Sequence, residues 1–161
     1  MDATANALDE IIAELEPRLR QISAHEAAQK AAPGKWSKKE ILGHLIDSAA
    51  NNQQKFVRTM LAEKPLDFVG YEQDSWVAIQ QYQQQSWADI IALWASYNRH
   101  LAHLIRSVDE RTLAHTISIS GNGPYTLAFL MSDYVEHLKH HLIQIIPDAG
   151  LHSEFSMTPY V

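Results

Sequence analysis

The chain has 161 residues, is 46% apolar and carries a net charge of −6. With no basic cluster to set against that charge, nucleic acid and anionic membrane surfaces are excluded as expected partners. The absence of cysteine excludes disulfides, thiolate catalysis by the chain itself and thiolate-bound metal.

No run approaches the roughly 18 apolar residues of a membrane span. The acidic stretch Met1 to Glu10 lacks the apolar core of a signal peptide. The expectation is a cytoplasmic protein. It should fold as one domain over 1–161, with its core at 8–146 and a tail at 147–161.

The first helix is expected from about Asn6 to Ala24, where Leu8, Ile11, Ile12, Leu15, Leu19 and Ile22 fall at helical spacing. Pro17 should kink or shorten it, and Ala32-Pro33-Gly34 breaks the chain. The second helix has a clear start, with Ser37 as N-cap and Glu40 three residues on as the other half of a capping box. It is expected to reach about Ala62. Residues 63–85 form a long connection with a short helix from about Ser75 to Gln83, and the glutamines at 80, 81, 83, 84 and 85 read as solvated surface.

The third helix is expected from Ser86 to about Ser107. Trp87, Ile90, Trp94, Tyr97, Leu101, Leu104 and Val108 repeat at nearly heptad spacing, which suits a bundle seam. The alternating run His115 to Ser120 and the turn Gly121-Asn-Gly-Pro124 predict a small hairpin or extended loop. The last helix begins near Thr126 and ends before Pro147, and the tail after it shows no strong pattern. Four long amphipathic helices with few strands predict an all-α four-helix bundle. The long connection leaves room for something other than simple up-down order.

Nine histidines are present, and a helical wheel sorts them. On the last helix, His137 and His141 stand one turn apart at the edge of the apolar stripe, so they can offer two imidazoles to one ion. His140 points further out. His44 lies almost opposite the apolar stripe of the second helix; it is either a solvated residue or the mark of a second, polar side facing a cleft. Asp47, one turn on, could then fix its tautomer. His100 and His103 point away from their seam and read as surface. The motif His-Glu-x-x-His is absent, and Glu136 points about 100° away from His137, so no helix-borne glutamate base is evident.

Three elements, Trp36-Ser-x-x-Glu40 leading to His44, Tyr71-x-Gln-Asp74-x-Trp76, and Glu136-His137-x-x-x-His141-x-x-Gln144, resemble the DinB-like superfamily of DinB/YfiT-like metalloenzymes. The resemblance spans roughly residues 8–146. It implies a four-helix bundle, a divalent-metal site of His44, His137 and His141, and a homodimer; three neutral imidazoles there would hold zinc or nickel. Asp47, Gln144 and His140 would steady the ligand rings. Asp74 is the candidate acid–base group and Trp76 a candidate pocket wall. Better-known members resemble thiol transferases that use bacillithiol or mycothiol. The expectation is therefore a metal-dependent enzyme on a small-molecule substrate, transferring a low-molecular-weight thiol cosubstrate. A metal-dependent hydrolase, or a non-enzymatic metal- or ligand-binding stress-response module, is the alternative.

Overall fold

The computed structural model describes residues 1–156; the end of the expected tail, 157–161, lies outside them. Four long helices form the bundle: α1 (Asp2–Gln21), α3 (Lys38–Leu61), α5 (Trp87–Arg106) and α6 (Leu127–Ile145). Two short helices, α2 (Ala24–Ala28) and α4 (Gln73–Gln80), sit in the connections. The long helices pack in a ring: α1 on α5, α5 on α3, α3 on α6, and α6 back on α1. The first long helix therefore lies against the third, and the second against the fourth, unlike an up-down bundle.

Each long helix forms for a local reason. On α1 the buried residues Leu8, Ile11, Ile12, Leu15 and Leu19 make one stripe. The helix starts and ends a few residues earlier than its expected bounds, and Pro17 neither stops nor shortens it there. Pro17 and Ala13 are both exposed, so the carbonyl that loses its amide partner one turn back faces water. At α3, Ser37 accepts from the Glu40 backbone N–H at 3.2 Å and the Glu40 carboxylate accepts from the Ser37 N–H at 2.8 Å. Both arms of the box are thus made. The Ser86 and Thr126 side chains accept from the backbone N–H of Asp89 and Phe129 and so cap α5 and α6 with a single arm each. The indole N–H of Trp87 donates to Leu19 O at 3.1 Å, which pins α5 to the end of α1.

The connection after α3 holds more than the expected helix. Strand β1 (Leu66–Phe68) pairs in parallel with β2 (Thr116–Ile119), and β2 pairs antiparallel with β3 (Asn122–Thr126). The hairpin was legible, whereas β1, three residues long, carries no period of its own. Helix α4 begins at Gln73, two residues before its expected start, and ends at Gln80 because Gln81 turns left-handed at φ 53°. The glutamines are not all idle surface. Gln83 donates to Ala28 O and to Glu40, and the carbonyls of Gln83 and Gln85 receive the Lys39 ammonium.

A buried hydrogen-bond chain sets the rotation of α6. The Tyr134 hydroxyl donates to Asn98 Oδ1, and Asn98 Nδ2 donates to Trp94 O at 2.8 Å. Tyr134, Asn98 and Trp94 are all within the core. Because Tyr134 precedes His137 by three residues on the same face, this anchor also aims His137 at α3. No helix of the described residues is long and apolar enough to cross a membrane.

Candidate metal centre

Helices α3 and α6 meet along a polar seam. Residues 44, 48, 52 and 55 of α3 recur at three- and four-residue steps and so share a face. His44 is fully buried, which settles its two readings: it is not a solvated residue. Its polar side faces α6, which presents His137 and His141 to the same point. One ring nitrogen from each of His44, His137 and His141 lies within 4.8 Å of the others. His44 Nε2 and His137 Nε2 are 3.3 Å apart. The rings stand edge to face, with centroids 5.2 Å apart for His44 and His137, 4.7 Å for His44 and His141, and 4.6 Å for His137 and His141.

Neighbouring groups fix which nitrogen faces inward. Gln144 Oε1 can only accept, so His141 Nδ1, 3.4 Å away, carries the proton and its Nε2 carries a lone pair. The amide of Gln144 donates to His140 Nε2 at 3.0 Å. His140 thus lies beside the group, 5.1 Å from His141 between ring centroids, and not in it. Ser48 Oγ is 3.4 Å from His137 Nδ1. Trp36 packs on His44 at 5.0 Å, and Phe155 packs on His137 at 4.9 Å. Ser48 and Phe155 were not foreseen. Ser48 could have been read from its place one turn after His44; the patternless tail gives no such signal for Phe155.

Burial keeps the three imidazoles neutral. His44 is brought down to about 3, first by burial and then by repulsion from His141. His141 is brought down to about 4 by burial and by His140. His137 falls well below its ordinary range, chiefly through burial and then through His141, His44, His140 and Lys55.

The other expected residues go elsewhere. Asp47 does not orient His44. Its Oδ1 accepts from the Tyr82 hydroxyl at 2.7 Å and from Gln80, its Oδ2 has no partner among the described residues, and neither does His44 Nδ1. Asp47 was expected to face the imidazole, but Tyr82 fills the adjoining space and draws the carboxylate away. Asp74 is exposed and lines a groove of about 760 Å³ beside Trp36 and Gln144, outside the cavity that His137 and His141 share. Trp76 does not line that cavity; it backs Tyr71, which does, at 4.8 Å. Glu136 is tied to Lys139 at 2.6 Å and accepts from the Glu154 N–H at 2.8 Å.

The cavity beside His137 and His141 measures about 180 Å³ and is also bounded by Ser48, Lys55, Asp133 and Phe155. Burial lowers Lys55 to about 8, against the pull of Asp133 to keep it charged.

Fold and site together define a four-helix bundle with three convergent imidazoles, two of which, His137 and His141, border a small cavity. A family model described as the DinB superfamily matches residues 7–145, and the chain belongs to that superfamily. A Bacillus cereus (strain AH820) protein named "Putative metal-dependent hydrolase" is 20% identical over 145 residues, covering 90% of this chain and 83% of that one. A Bacillus mycoides (strain KBAB4) protein of the same description is 19% identical over 155 residues, with the same coverage. Among solved structures, YfiT from Bacillus subtilis superposes with a TM-score of 0.81 at 20% identity, covering 91% of this chain and 83% of that one. It is described as a probable metal-dependent hydrolase with an unusual four-helix bundle topology.

Proposed function

We propose that this protein is a divalent-metal enzyme acting on a small molecule, with His44, His137 and His141 holding the ion. The observation that carries the reading is the convergence of three neutral imidazole nitrogens within 4.8 Å, with His137 and His141 bordering a cavity. Two nitrogens on a zinc ion at about 2.0–2.1 Å stand about 3.3 Å apart at a tetrahedral angle, which is the separation of His44 Nε2 and His137 Nε2. Three imidazoles suit zinc or nickel and leave at least one position open.

A bound divalent ion lowers the pKa of a coordinated thiol or water, so that a nucleophile forms at neutral pH. The chain supplies the rest. Gln144 holds His141 in the tautomer that points Nε2 inward, Ser48 braces His137, and Trp36 and Phe155 cover His44 and His137 from solvent. Thiol S-transfer from a low-molecular-weight cosubstrate is the reading we favour. The carboxylates nearest the imidazoles in sequence, Asp47 and Glu136, are held by other partners, whereas a thiol needs no carboxylate base once its proton is acidified. Metal-dependent hydrolysis is the second reading, supported by the names of the relatives. A homodimer belongs to the same proposal, and sedimentation equilibrium tests it.

The deciding experiment loads untagged protein with zinc or nickel. It then follows conjugation of a small thiol to an aromatic electrophile alongside ester and amide hydrolysis, with His137→Ala as control. Conjugation lost in the variant supports transfer, and hydrolysis alone supports the second reading. Metal binding with neither activity would leave a ligand-binding module.

A further inference from the structure

The chain buries two lysines to the same extent, Lys39 and Lys55, each 8% exposed. Lys39 has an evident reason. Its ammonium donates to Gln83 O at 3.3 Å and to Gln85 O at 2.7 Å, closing the connection onto α3. Lys55 has no such partner. Its ammonium makes no hydrogen bond or ion pair with any described residue, and lies 5.7 Å from the centre of the Phe68 ring. On its other side it borders the cavity that also meets His137 and His141. The Lys55 side chain is buried while its ammonium opens onto this cavity, so its hydrogen-bond acceptors come from whatever fills that space.

Placement adds to this. Lys55 follows Ser48 by seven residues on the same face of α3, about 10 Å along the axis at 1.5 Å per residue. Long helical side chains lean back toward the N-terminus, which for Lys55 means toward the imidazoles. The cavity between them, about 180 Å³, has the liquid volume of about six waters. Asp133 borders the same space and favours the charged form of Lys55.

We propose that Lys55 is an anion subsite of this cavity. The small molecule that meets the three histidines carries a carboxylate at its far end, and the Lys55 ammonium binds that group in a charge-assisted hydrogen bond. The assignment rests on the metal reading above, because it places the other end of the ligand at the imidazoles.

The test uses the full chain loaded with cobalt(II), whose absorption reports both the metal site and sulfur bound to it. Two probes are titrated, straight-chain mercaptopropionate and its neutral amide. The carboxylate is expected to bind more tightly by about tenfold or more. Lys55→Met should bring its affinity down to that of the amide, and Lys55→Arg should keep most of the preference. An unchanged ligand-free cobalt spectrum in Lys55→Met shows that the variant folds with its site intact. Equal affinities in the parent protein, or a preference that survives Lys55→Met, overturn this subsite alone. No cobalt spectrum in the parent protein overturns the metal reading and the subsite with it.

Discussion

His44 Nε2 lies 3.3 Å from His137 Nε2, across 93 residues of chain. Two neutral imidazoles at this distance either share one proton-bearing nitrogen or turn two lone pairs toward one cation. The second arrangement leads to the first prediction. His137→Ala should weaken zinc binding by more than about a hundredfold, beyond the 10–100-fold that outer partners of a ligand carry. His140→Ala, on the rim, should cost less than about tenfold. Competition against a chromophoric chelator measures both, and equal effects would mean that the ring assignments are wrong.

Acid should destabilise the metal-free protein. In the folded chain His44 and His141 take up protons only near 3 and 4, below their ordinary value of 6.5. Between 6.5 and those values the unfolded chain binds protons that the folded chain does not. The stability present at neutral pH is therefore lost as pH falls through that window, at about 1.4 kcal/mol per pH unit for each histidine. Urea unfolding at several pH values measures the slope. His44→Gln should flatten it, and a slope that the variant leaves unchanged would contradict the burial argument. Excess zinc should add a stabilisation that is constant across that window and should carry the loss on below it, where protons begin to compete with metal for the same nitrogens.

The capping box positions His44 two turns into α3. Ser37→Ala removes the acceptor for the Glu40 N–H and should cost about 1 kcal/mol, or roughly 2–4 °C in Tm for a chain of this size. Zinc affinity should fall far less than in His137→Ala, since fraying at the first turn stops short of His44. A collapse of metal binding with little change in Tm would require a role for Ser37 beyond the cap.

Gly43 is a close-packing requirement beside the site. A Cβ there would come within 2.2 Å of the Tyr82 ring, so Gly43→Ala must push Tyr82 aside. The Tyr82 hydroxyl donates to Asp47 at 2.7 Å, and displacing it leaves the buried carboxylate weakly held. The expected cost is about 1–3 kcal/mol from overpacking, read by urea unfolding. Tyr82→Phe separates the two effects, because it removes the hydroxyl and keeps the ring. If Gly43→Ala proved neutral, the contact between α3 and Tyr82 would be looser than the structure shows.

Local signals settle much of this protein. The stripes of α1 and α5 and the Ser37–Glu40 box are written in spacings of three and four residues, and the structure keeps them. His137 and His141 belong to that class, since one helix suffices to place them together. The hairpin is legible because its strands and turn are contiguous. Strand β1 is not, because three residues find their reason only in pairing with β2.

What the chain order cannot show is which helix faces which. His44 looks misplaced on its own wheel because the partner of its polar face is α6, and only the exchange of neighbours in the bundle puts α3 against α6. The same packing turns Asp47 away to Tyr82, hides Lys55 at a cavity wall and lays Phe155 on His137. Helical period is a property of adjacent residues, so sequence determines it; the burial of a polar face depends on a surface brought from elsewhere in the chain, so tertiary packing decides it.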